Sequence, residues 1–428
     1  MYRLLMDELA AWKEFPYKRP LLIQGITQCG KTHLLKEFGE KCYKDVLYFD
    51  FEEDRQLSFL FEQDLDPLRI IKDISLYRGA DIKPESTLII FDGIQFCTNA
   101  LDSLAYFFYK APKYHIVAAG SFIDVPLPKI DTFTLYPMNF YEFLHAQNSV
   151  LALHLKESCF TDDALTTFKA QLDAIFMDFQ IIGGMPEVVQ TWIDTKSIDA
   201  VEKMQARIIQ GFENDFAKLS NASLFPKLSA VWNAIPAQLC KENRKFMFSR
   251  VKKSWRARDL EDAINLLVRA GLAYKVIHVD TPKFPLSTQM NDMHFKLYMC
   301  DVGLLRRTAR IPASAIMSKG SSYKELKGAL AENIVCSELM RIYGGDLFYW
   351  SADNPGRAEV EFIVQDGEDI IPIAAKAGSV SKARSLLQYS VMFKPEKSVM
   401  TSTVYDKPEV LPIYAFWNLK EWLASPRG

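Results

Sequence analysis

The sequence contains few residues that could build a metal centre and no stretch that could cross a membrane. Its seven cysteines and six histidines are scattered, and no pair has the spacing of a zinc site. An odd number of scattered cysteines is typical of free thiols in a reducing compartment. The first residues carry acids where a signal peptide needs an apolar core, and no uncharged apolar run approaches the ~20 residues that span a bilayer. We therefore expect a cytoplasmic protein without a membrane segment.

The charge balance and the length exclude further possibilities. A net charge of −2 provides no overall attraction to nucleic acid or acidic lipid, so any such surface must be local. The sequence has neither a fixed-period repeat nor a low-complexity linker, so we expect its modules to pack against one another. Its 428 residues exceed what a single core holds, and two or three domains are predicted.

Residues 25–32 match the phosphate-binding pattern G-x-x-x-x-G-K-T. The positions are Gly25, Ile26, Thr27, Gln28, Cys29, Gly30, Lys31 and Thr32. Glycines allow the backbone N–H groups to turn inward around a phosphate, which Lys31 would reach, while the Thr32 hydroxyl would help to hold Mg²⁺. An ordinary glycine-rich turn between a strand and a helix is the alternative. The apolar run 20–24 directly before the loop favours a nucleotide site.

A second part of this site is predicted at the end of the apolar run 87–92. Asp92 stands where a P-loop protein places the carboxylate that binds Mg²⁺, usually through water. Many ATPases have a glutamate next, which orients and deprotonates the attacking water, but here Gly93 follows. Because general-base assistance is worth about 10²–10⁴-fold, we expect nucleotide binding with slow or undetectable hydrolysis.

Two further residues are weaker catalytic candidates. Gln95 is close enough in sequence to orient a water molecule in place of the glutamate, although a surface or core-lining amide is the alternative. Ser121 follows the strand-like run 115–119, where some P-loop proteins place a polar sensor of the γ-phosphate. An exposed serine in a turn is the alternative for this position.

The pattern of apolar residues predicts an α/β protein whose first third is a parallel sheet. Strand-like runs at 46–51, 87–92 and 115–119 alternate with helical segments near 31–40 and 99–109. Residues 150–230 are helical in pattern, with a break at 183–186. Helices near 223–240 and 256–270, followed by strands at 272–279 and 294–300, are typical of a winged helix. The remaining elements are a helix at 323–343, strands at 347–350, 359–364 and 370–374, and a helix near 382–389.

The stretch from Lys241 to Arg258 concentrates positive charge around the predicted winged helix. Its cations are Lys241, Arg244, Lys245, Arg250, Lys252, Lys253, Arg256 and Arg258, interleaved with Phe246 and Trp255. Such a patch predicts salt-dependent contact with DNA. A merely solvated face, diluted by the acids that follow, is one alternative. An arginine finger from Arg256 or Arg258, reaching the nucleotide across a domain interface, is another.

Ten segments in this order carry a family resemblance. They are Gly25–Thr32, Phe91–Gln95, Ala119–Ser121, Leu135–Leu144, Gly183–Glu187, Lys296–Tyr298 with Asp301–Leu305, Glu332–Asn333, Glu359–Phe362 and Ile371–Lys376. Over most of its length the chain resembles the bacterial and archaeal AAA+-type ATPases whose C-terminal domain of unknown function is similar to restriction-endonuclease folds. The resemblance implies an AAA+-like P-loop domain at 1–200, a winged-helix-like domain at 201–312 and a nuclease-like α/β domain at 313–428. The sequence has no guanine-reading N-K-x-D motif, and the choice of ATP as the nucleotide is what the resemblance implies.

The chain departs from this family at three positions. Family members usually have Asp-Glu-Ile-Gln where this chain has Gly93 after the aspartate, and they often have arginine where it has Thr27. Their late strand usually reads Ile-Glu-Val-Lys, whereas here Ala374 replaces the glutamate. These departures leave the ATPase fold intact and argue against rapid turnover.

The nuclease-like end is predicted to be degenerate. A PD-(D/E)xK nuclease needs two acidic groups that hold a divalent metal and a lysine beside the attacking water. Glu361 and Lys376 could fill two of these roles, with Glu332 as a further carboxylate, but Ala374 cannot bind a metal. We expect no cleavage. The alternative for Glu332, Glu359 and Glu361 is a solvated face with salt bridges.

Three functional hypotheses follow from these residues. The leading one is a protein that binds ATP and Mg²⁺, with weak or absent hydrolysis, in which nucleotide occupancy sets the arrangement of the C-terminal domains. The second is a DNA-binding regulator or defence-type protein whose nucleotide site is structural. The third, an active nuclease, conflicts with Ala374. The sequence leaves the biological process open, and it is compatible with an oligomer.

Overall fold

The chain divides after Tyr136 into two compact units, Met1–Tyr136 and Pro137–Gly428. The computed structural model describes residues 1–123, 128–157, 167–241, 244–318, 320–352, 358–378, 384–404 and 409–425. Within these ranges no helix combines the length and the apolar character needed to cross a membrane. The division into three domains at 1–200, 201–312 and 313–428 stays a prediction.

The first unit is built on five parallel strands, the first four of which are connected through helices. The strands are β1 (Leu21–Gln24), β2 (Asp45–Asp50), β3 (Thr87–Asp92), β4 (His115–Gly120) and β5 (Asp131–Thr134). The α-helices are α1 (Leu5–Glu14), α2 (Lys31–Cys42), α3 (Pro67–Arg78) and α4 (Thr98–Lys110), with 3₁₀ helices at Arg55–Phe61 and Ile94–Phe96. The parallel sheet predicted for the first third of the chain is confirmed.

The order of the strands determines which residues can form a site. The order is β2-β3-β4-β1-β5, so β4 lies between β1 and β3. Strands β3 and β4 are buried along their whole length, as expected when helices cover both faces of a parallel sheet. Because all the strands run in one direction, the loop after β1, Asp92 at the end of β3 and Ser121 after β4 lie along one edge.

Local sequence explains where the helices of this unit begin and end. The side chain of Asp66 accepts a hydrogen bond from the backbone of Arg69, and Pro67 opens α3 with a preset backbone angle. The helix ends at Gly79, whose φ of 63° is left-handed. Edge-to-face aromatic pairs join Phe49 to Phe91 on neighbouring strands and pack Phe61, at the end of the first 3₁₀ helix, onto Phe91 of the sheet.

The second unit begins with helices and continues into a mixed sheet. Its first helices are α5 (Phe140–Gln147), α6 (Ser149–Glu157), α7 (Lys169–Ile182), α8 (Pro186–Thr195), α9 (Ile198–Leu219), α10 (Phe225–Leu239), α11 (Phe248–Val251) and α12 (Ala257–Arg269). The strands are β6 (Ala273–Val279), β7 (Met290–Met299), β8 (Leu347–Ser351), β9 (Glu359–Asp366), β10 (Asp369–Lys376), β11 (Val399–Ser402) and β12 (Val410–Pro412). The later α-helices are α13 (Val302–Thr308), α14 (Ala313–Met317), α15 (Ser321–Tyr343), α16 (Arg384–Phe393) and α17 (Leu419–Ala424), with 3₁₀ helices at Leu286–Gln289 and Ile413–Asn418.

All seven strands of this unit belong to one sheet, in the order β12-β11-β10-β9-β8-β6-β7. Strands β6 and β7, which the sequence predicts as a wing, pair antiparallel with each other. Strand β6 also pairs with β8, so the predicted wing continues the sheet of the predicted C-terminal domain. The winged-helix and nuclease-like interpretations of these elements stay predictions.

Several segments that carry the family resemblance serve close packing in the second unit. A Cβ atom at Gly184 would overlap the carbonyl of Met138, and one at Gly183 would overlap the carboxylate of Asp301. The Asp301 carboxylate accepts hydrogen bonds from the backbone N–H of Gly184 at 2.6 Å and of Leu304 at 2.8 Å, which caps α13. Complete burial raises the pKa of Asp301 to about 6. These residues therefore join α7, α8 and α13 at a point where no larger side chain fits.

Candidate functional site

The loop Gly25–Thr32 leaves the end of β1 and enters the first turn of α2. Gly25 approaches the carbonyl of Leu135 so closely that a Cβ atom there would overlap it. Gln28 and Gly30 have left-handed backbone angles, with φ of 64° and 95°. A turn of this kind directs successive backbone N–H groups toward a common centre, which suits a phosphate. The start of α2 at Lys31 adds the positive end of a helix to the same centre.

The ammonium group of Lys31 lies inside this loop. It donates hydrogen bonds to the carbonyl oxygens of Gly25 at 3.0 Å and Ile26 at 2.8 Å, and to the hydroxyl of Ser121 at 2.8 Å. Ser121 is buried, so the alternative of an exposed turn serine is wrong. The sheet order therefore brings the predicted phosphate-binding lysine and the predicted γ-phosphate sensor into contact.

The hydroxyl of Thr32 and the carboxylate of Asp92 form the other half of the site. Thr32 Oγ1 donates to Asp92 Oδ2 at 2.5 Å, and Asp92 Oδ1 accepts from the backbone of Gly93 at 2.9 Å. A hydroxyl and a carboxylate are the hard oxygen ligands that Mg²⁺ prefers in proteins. These donors fit the predicted metal, and Thr32 and Asp92 would hold it beside the nucleotide phosphates.

Gly93 and Gln95 lie where the sequence places them, next to Asp92. Gly93 has a left-handed backbone, with φ of 63°, and it offers no side chain to the site. The side-chain oxygen of Gln95 accepts from the backbone N–H of Ser121 at 3.2 Å. Gln95 therefore joins the end of β3 to the end of β4, and its role in orienting water stays a prediction.

Three residues that sequence reasoning missed complete the surroundings of the loop. Buried Arg3 donates to the Cys29 carbonyl at 2.8 Å and also to the Tyr136 carbonyl. No motif marks Arg3, which is far in sequence from both partners. At the end of β2 the Tyr48 hydroxyl lies within hydrogen-bond distance of Asp92 and of Asp50, which is the register partner of Asp92. For Tyr48 and Asp50 the sequence did contain a signal, since β2 and β3 are both apolar runs that end in aspartate.

The hydroxyl of Tyr48 lies between two carboxylates. It is 3.0 Å from Asp50 Oδ2 and 3.0 Å from Asp92 Oδ2. Burial, and then the negative charges of Asp92 and Asp50, raise the pKa of the Tyr48 phenol above its usual range, so it stays a proton donor at neutral pH. Asp50 Oδ1 accepts from the backbone N–H groups of Glu52 and Glu53 at 2.9 Å and 3.1 Å.

The sequence of the first unit matches a known family. Residues 17–144 match the family described as AAA domain, and this range contains the loop, Asp92 and Ser121. These residues form a P-loop AAA-type ATPase domain. Two further families match the rest of the chain, and both are domains of unknown function: DUF8612 at residues 174–315 and DUF4143 at residues 327–422. No curated protein matches the chain in sequence.

Several solved structures are similar to this chain at low sequence identity. The Walker-type ATPase PABY2304 of Pyrococcus abyssi is 13% identical, with a TM-score of 0.44, over 71% of this chain and 95% of its own. The ORC1 protein of Aeropyrum pernix, solved in complex with DNA, is 11% identical, with a TM-score of 0.30, over 74% and 95%. AMPPCP-bound DnaA from Aquifex aeolicus is 15% identical, with a TM-score of 0.22, over 62% and 86%. Since these scores are low, the AAA assignment rests on the family match and on the geometry of the loop.

The acidic residues of the predicted nuclease-like region are each paired with a cation. Glu332 contacts Arg244, Glu359 contacts Lys296 at 2.5 Å, and Glu361 contacts Lys376. Burial alone would raise the pKa of Glu359. The positive charges of Lys296, Arg244 and Lys245 instead hold this pKa below its usual range. Glu332 and Glu361 are buried in ion pairs, so they do not lie on a solvated face.

Ala374, which stands where the resemblance places a metal ligand, belongs to the apolar core between the sheet and α16. In the described ranges no three histidine, cysteine or acidic side chains are grouped as a metal site. The degenerate nuclease and its loss of cleavage stay predictions.

The basic stretch 241–258 divides into an exposed part and a part turned inward. Lys241, Arg250, Lys252, Lys253, Arg256 and Arg258 are exposed. Arg244 instead pairs with buried Glu332, and the backbone of Arg256 donates to Asp259 at the start of α12. DNA contact through the exposed cations and the arginine-finger role both stay predictions.

Proposed function

We propose that this protein binds ATP with Mg²⁺ in its AAA domain and hydrolyses it slowly or not at all. The arrangement of Lys31, Thr32 and Asp92 around the loop carries the proposal. Lys31 already lies where three oxygen atoms surround its ammonium group, and phosphate oxygens could replace them. Thr32 and Asp92 supply the oxygen ligands for the metal.

Slow hydrolysis is supported by the residue after Asp92. Gly93 offers no carboxylate to deprotonate a water molecule, and such assistance is typically worth about 10²–10⁴-fold. Because the backbone of Gly93 is left-handed, a residue with a side chain at this position would destabilise the fold by roughly 1–2 kcal/mol. Gln95, three residues after Asp92, is the polar substitute that the sequence offers, but its side-chain oxygen already accepts a hydrogen bond from the backbone N–H of Ser121.

The substitution Lys31→Ala tests nucleotide binding. We expect it to weaken ATP binding about 100-fold, because it removes charged hydrogen bonds worth roughly 2–3 kcal/mol. Isothermal titration calorimetry of ATP and ADP would measure the change. Lys41→Ala, which removes an exposed lysine from the same helix, is the matched control and should bind normally. Undiminished ATP binding in Lys31→Ala would refute the nucleotide site.

Phosphate release, measured on the same sample, tests the proposal that ATP is hydrolysed slowly or not at all. The proposal expects turnover well below the rate of ~1 per second that is common among enzymes. A rate at or above that value, lost in Lys31→Ala, would leave the nucleotide site standing and overturn slow hydrolysis.

A further inference from the structure

The ends of β2 and β3 place a second carboxylate beside the predicted metal ligand. Asp50 and Asp92 are direct register partners in these parallel strands. The Tyr48 hydroxyl joins them, with 3.0 Å to one oxygen of each carboxylate. Among the described residues neither carboxylate forms an ion pair, so the cluster carries an excess of negative charge next to Thr32.

The hydrogen bonds in this cluster cannot all be satisfied by protons of the protein. A tyrosine hydroxyl has one proton, so it can donate to Asp50 or to Asp92 but not to both. Asp92 Oδ2 already accepts from Thr32 at 2.5 Å, which leaves Asp50 as the better acceptor for Tyr48. The oxygen atoms of Tyr48 and Asp92 then face each other at 3.0 Å without a proton between them. A cation at this point would relieve their repulsion.

Two positive groups that contact Tyr48 do not supply that cation. The Lys36 ammonium lies 3.8 Å from the centre of the Tyr48 ring, over its face and not at its hydroxyl. The guanidinium of Arg78 donates to the backbone carbonyl of Tyr48 and stacks on Phe49. The oxygen atoms of Thr32 and Tyr48 therefore both lie within hydrogen-bond distance of Asp92 Oδ2, and among the described residues this carboxylate forms no ion pair with a basic side chain.

We propose that Asp50 is a positioning residue for the metal–nucleotide site and acts on Asp92 through the hydroxyl of Tyr48. Asp50 accepts the hydrogen bond of the Tyr48 hydroxyl, so the lone pairs of that hydroxyl face Asp92. This arrangement favours a divalent cation at Asp92. Strand β2 thus places a second carboxylate beside Asp92 in a positioning role, which does not replace the general base missing at Gly93. This inference rests on the proposed function, since it concerns the metal that accompanies the nucleotide.

The test separates the metal's contribution from nucleotide binding as such. The dissociation constant of mant-ADP is measured by fluorescence titration in Mg²⁺ and in EDTA, for the full chain and for Asp50→Asn and Tyr48→Phe. We expect all three proteins to bind equally in EDTA. In Mg²⁺ we expect each variant to bind mant-ADP about tenfold more weakly than the unsubstituted protein does. Direct Mn²⁺ binding in the presence of ADP, followed by electron paramagnetic resonance, should weaken in parallel.

Two further variants define the mechanism. The double variant Asp50→Asn with Tyr48→Phe should lose no more than either single one, because residues that act through one another are not additive. Glu52→Gln changes an exposed acid two residues from Asp50 and is the matched control, expected to bind like the unsubstituted chain. Tyr48→Phe leaves both carboxylates in place, so it provides the test if Asp50→Asn does not fold.

The outcomes distinguish this inference from the proposed function. If Lys31→Ala loses nucleotide in both conditions while Asp50→Asn and Tyr48→Phe keep the full effect of Mg²⁺, the role of Asp50 is wrong and the nucleotide site stands. If affinity falls equally in EDTA and Mg²⁺, Asp50 supports the fold and not the metal, which also overturns the inference. An unsubstituted protein that binds no nucleotide would overturn both.

Discussion

Arg3 donates hydrogen bonds to two backbone carbonyls, one of which belongs to the phosphate-binding loop. Its guanidinium donates to Cys29, within the loop, and to Tyr136, the last residue of the first unit. The planar fork of an arginine can bind two acceptors at once, which a lysine ammonium does less specifically. Because Arg3 binds the Cys29 carbonyl, we expect it to favour the conformation in which the loop N–H groups face the phosphate.

Replacing this residue tests its contribution to nucleotide binding. We expect Arg3→Met to weaken ATP binding about tenfold, equivalent to roughly 1.4 kcal/mol, because the loop loses a support for its binding conformation. Arg3→Lys should recover only part of the loss. Calorimetric titration would measure both, with Arg55→Met as a control that changes an exposed arginine of the same unit. ATP affinity unaltered by Arg3→Met would mean that Arg3 stabilises the unit without shaping the loop.

Single residues also show how far the motifs could be interpreted without the fold. The identity of Gly93 predicts a missing carboxylate from sequence alone. Its left-handed backbone, which makes a side chain there unfavourable, depends on the turn after β3 and could not be deduced. Ala374 is similar: the sequence predicts the loss of a ligand, and the structure adds that the methyl group fills an apolar core.

At the scale of elements, α15 and the start of α5 share a buried polar network. Asn139 caps α5 together with Glu142, and its side chain also donates to Glu338 at 3.4 Å. Arg341 donates to the carbonyl of Pro137 at 2.5 Å and lies 3.6 Å from Glu338. Complete burial raises the pKa of Glu338 to about 7, even though Arg341 and Asn139 oppose the shift.

This raised pKa predicts a pH-dependent stability. The folded state holds the Glu338 proton more tightly than the unfolded state, so the contribution of Glu338 is fully present below pH 4.5 and is lost as the pH rises to about 7. The loss amounts to roughly 3 kcal/mol at most. Glu338→Gln cannot ionise, so its melting temperature should rise relative to the unsubstituted chain between pH 5 and pH 8, to an extent on the order of a few degrees.

Melting curves across this pH range would check the prediction, with Glu187→Gln as a control on an exposed acid of the same unit. Other buried acids such as Asp301 contribute equally to both proteins, so their effect cancels in the difference between the two melting temperatures at each pH. Parallel curves for Glu338→Gln and the unsubstituted chain would show that Glu338 ionises normally in the fold.

At the scale of the whole molecule, the two compact units predict two unfolding transitions. A ligand that binds only the folded first unit stabilises it by about 2.7 kcal/mol at a concentration of 100 times Kd. Differential scanning calorimetry should therefore show one transition that moves upward with ATP and Mg²⁺ and one that does not. Lys31→Ala should abolish the shift. A single transition, or an equal shift of both, would show that the two units unfold as one.

The main features of the first unit were predictable from the sequence. The G-x-x-x-x-G-K-T pattern and the apolar runs of β3 and β4 are local signals, because a buried parallel strand and a phosphate turn each depend on a few neighbouring residues. Many helices and strands of the second unit were also recognisable from periodicity, but the short helices α13, α14 and α17 were not predicted. The membership of the strands in one seven-stranded sheet was not recognisable either, since pairing of β6 with β8 joins segments about seventy residues apart.

The phosphate-binding loop, its metal-binding threonine and aspartate, and the absence of a following glutamate are properties of short sequence segments. The surroundings of that site depend on the fold. Arg3, Tyr48, Asp50 and Ser121 reach it only because the order β2-β3-β4-β1-β5 brings the ends of four strands and a distant arginine to one edge of the sheet. Hydrogen bonds such as those of Arg3 and Tyr48 link positions far apart along the chain, and local sequence patterns contain no information about such distances.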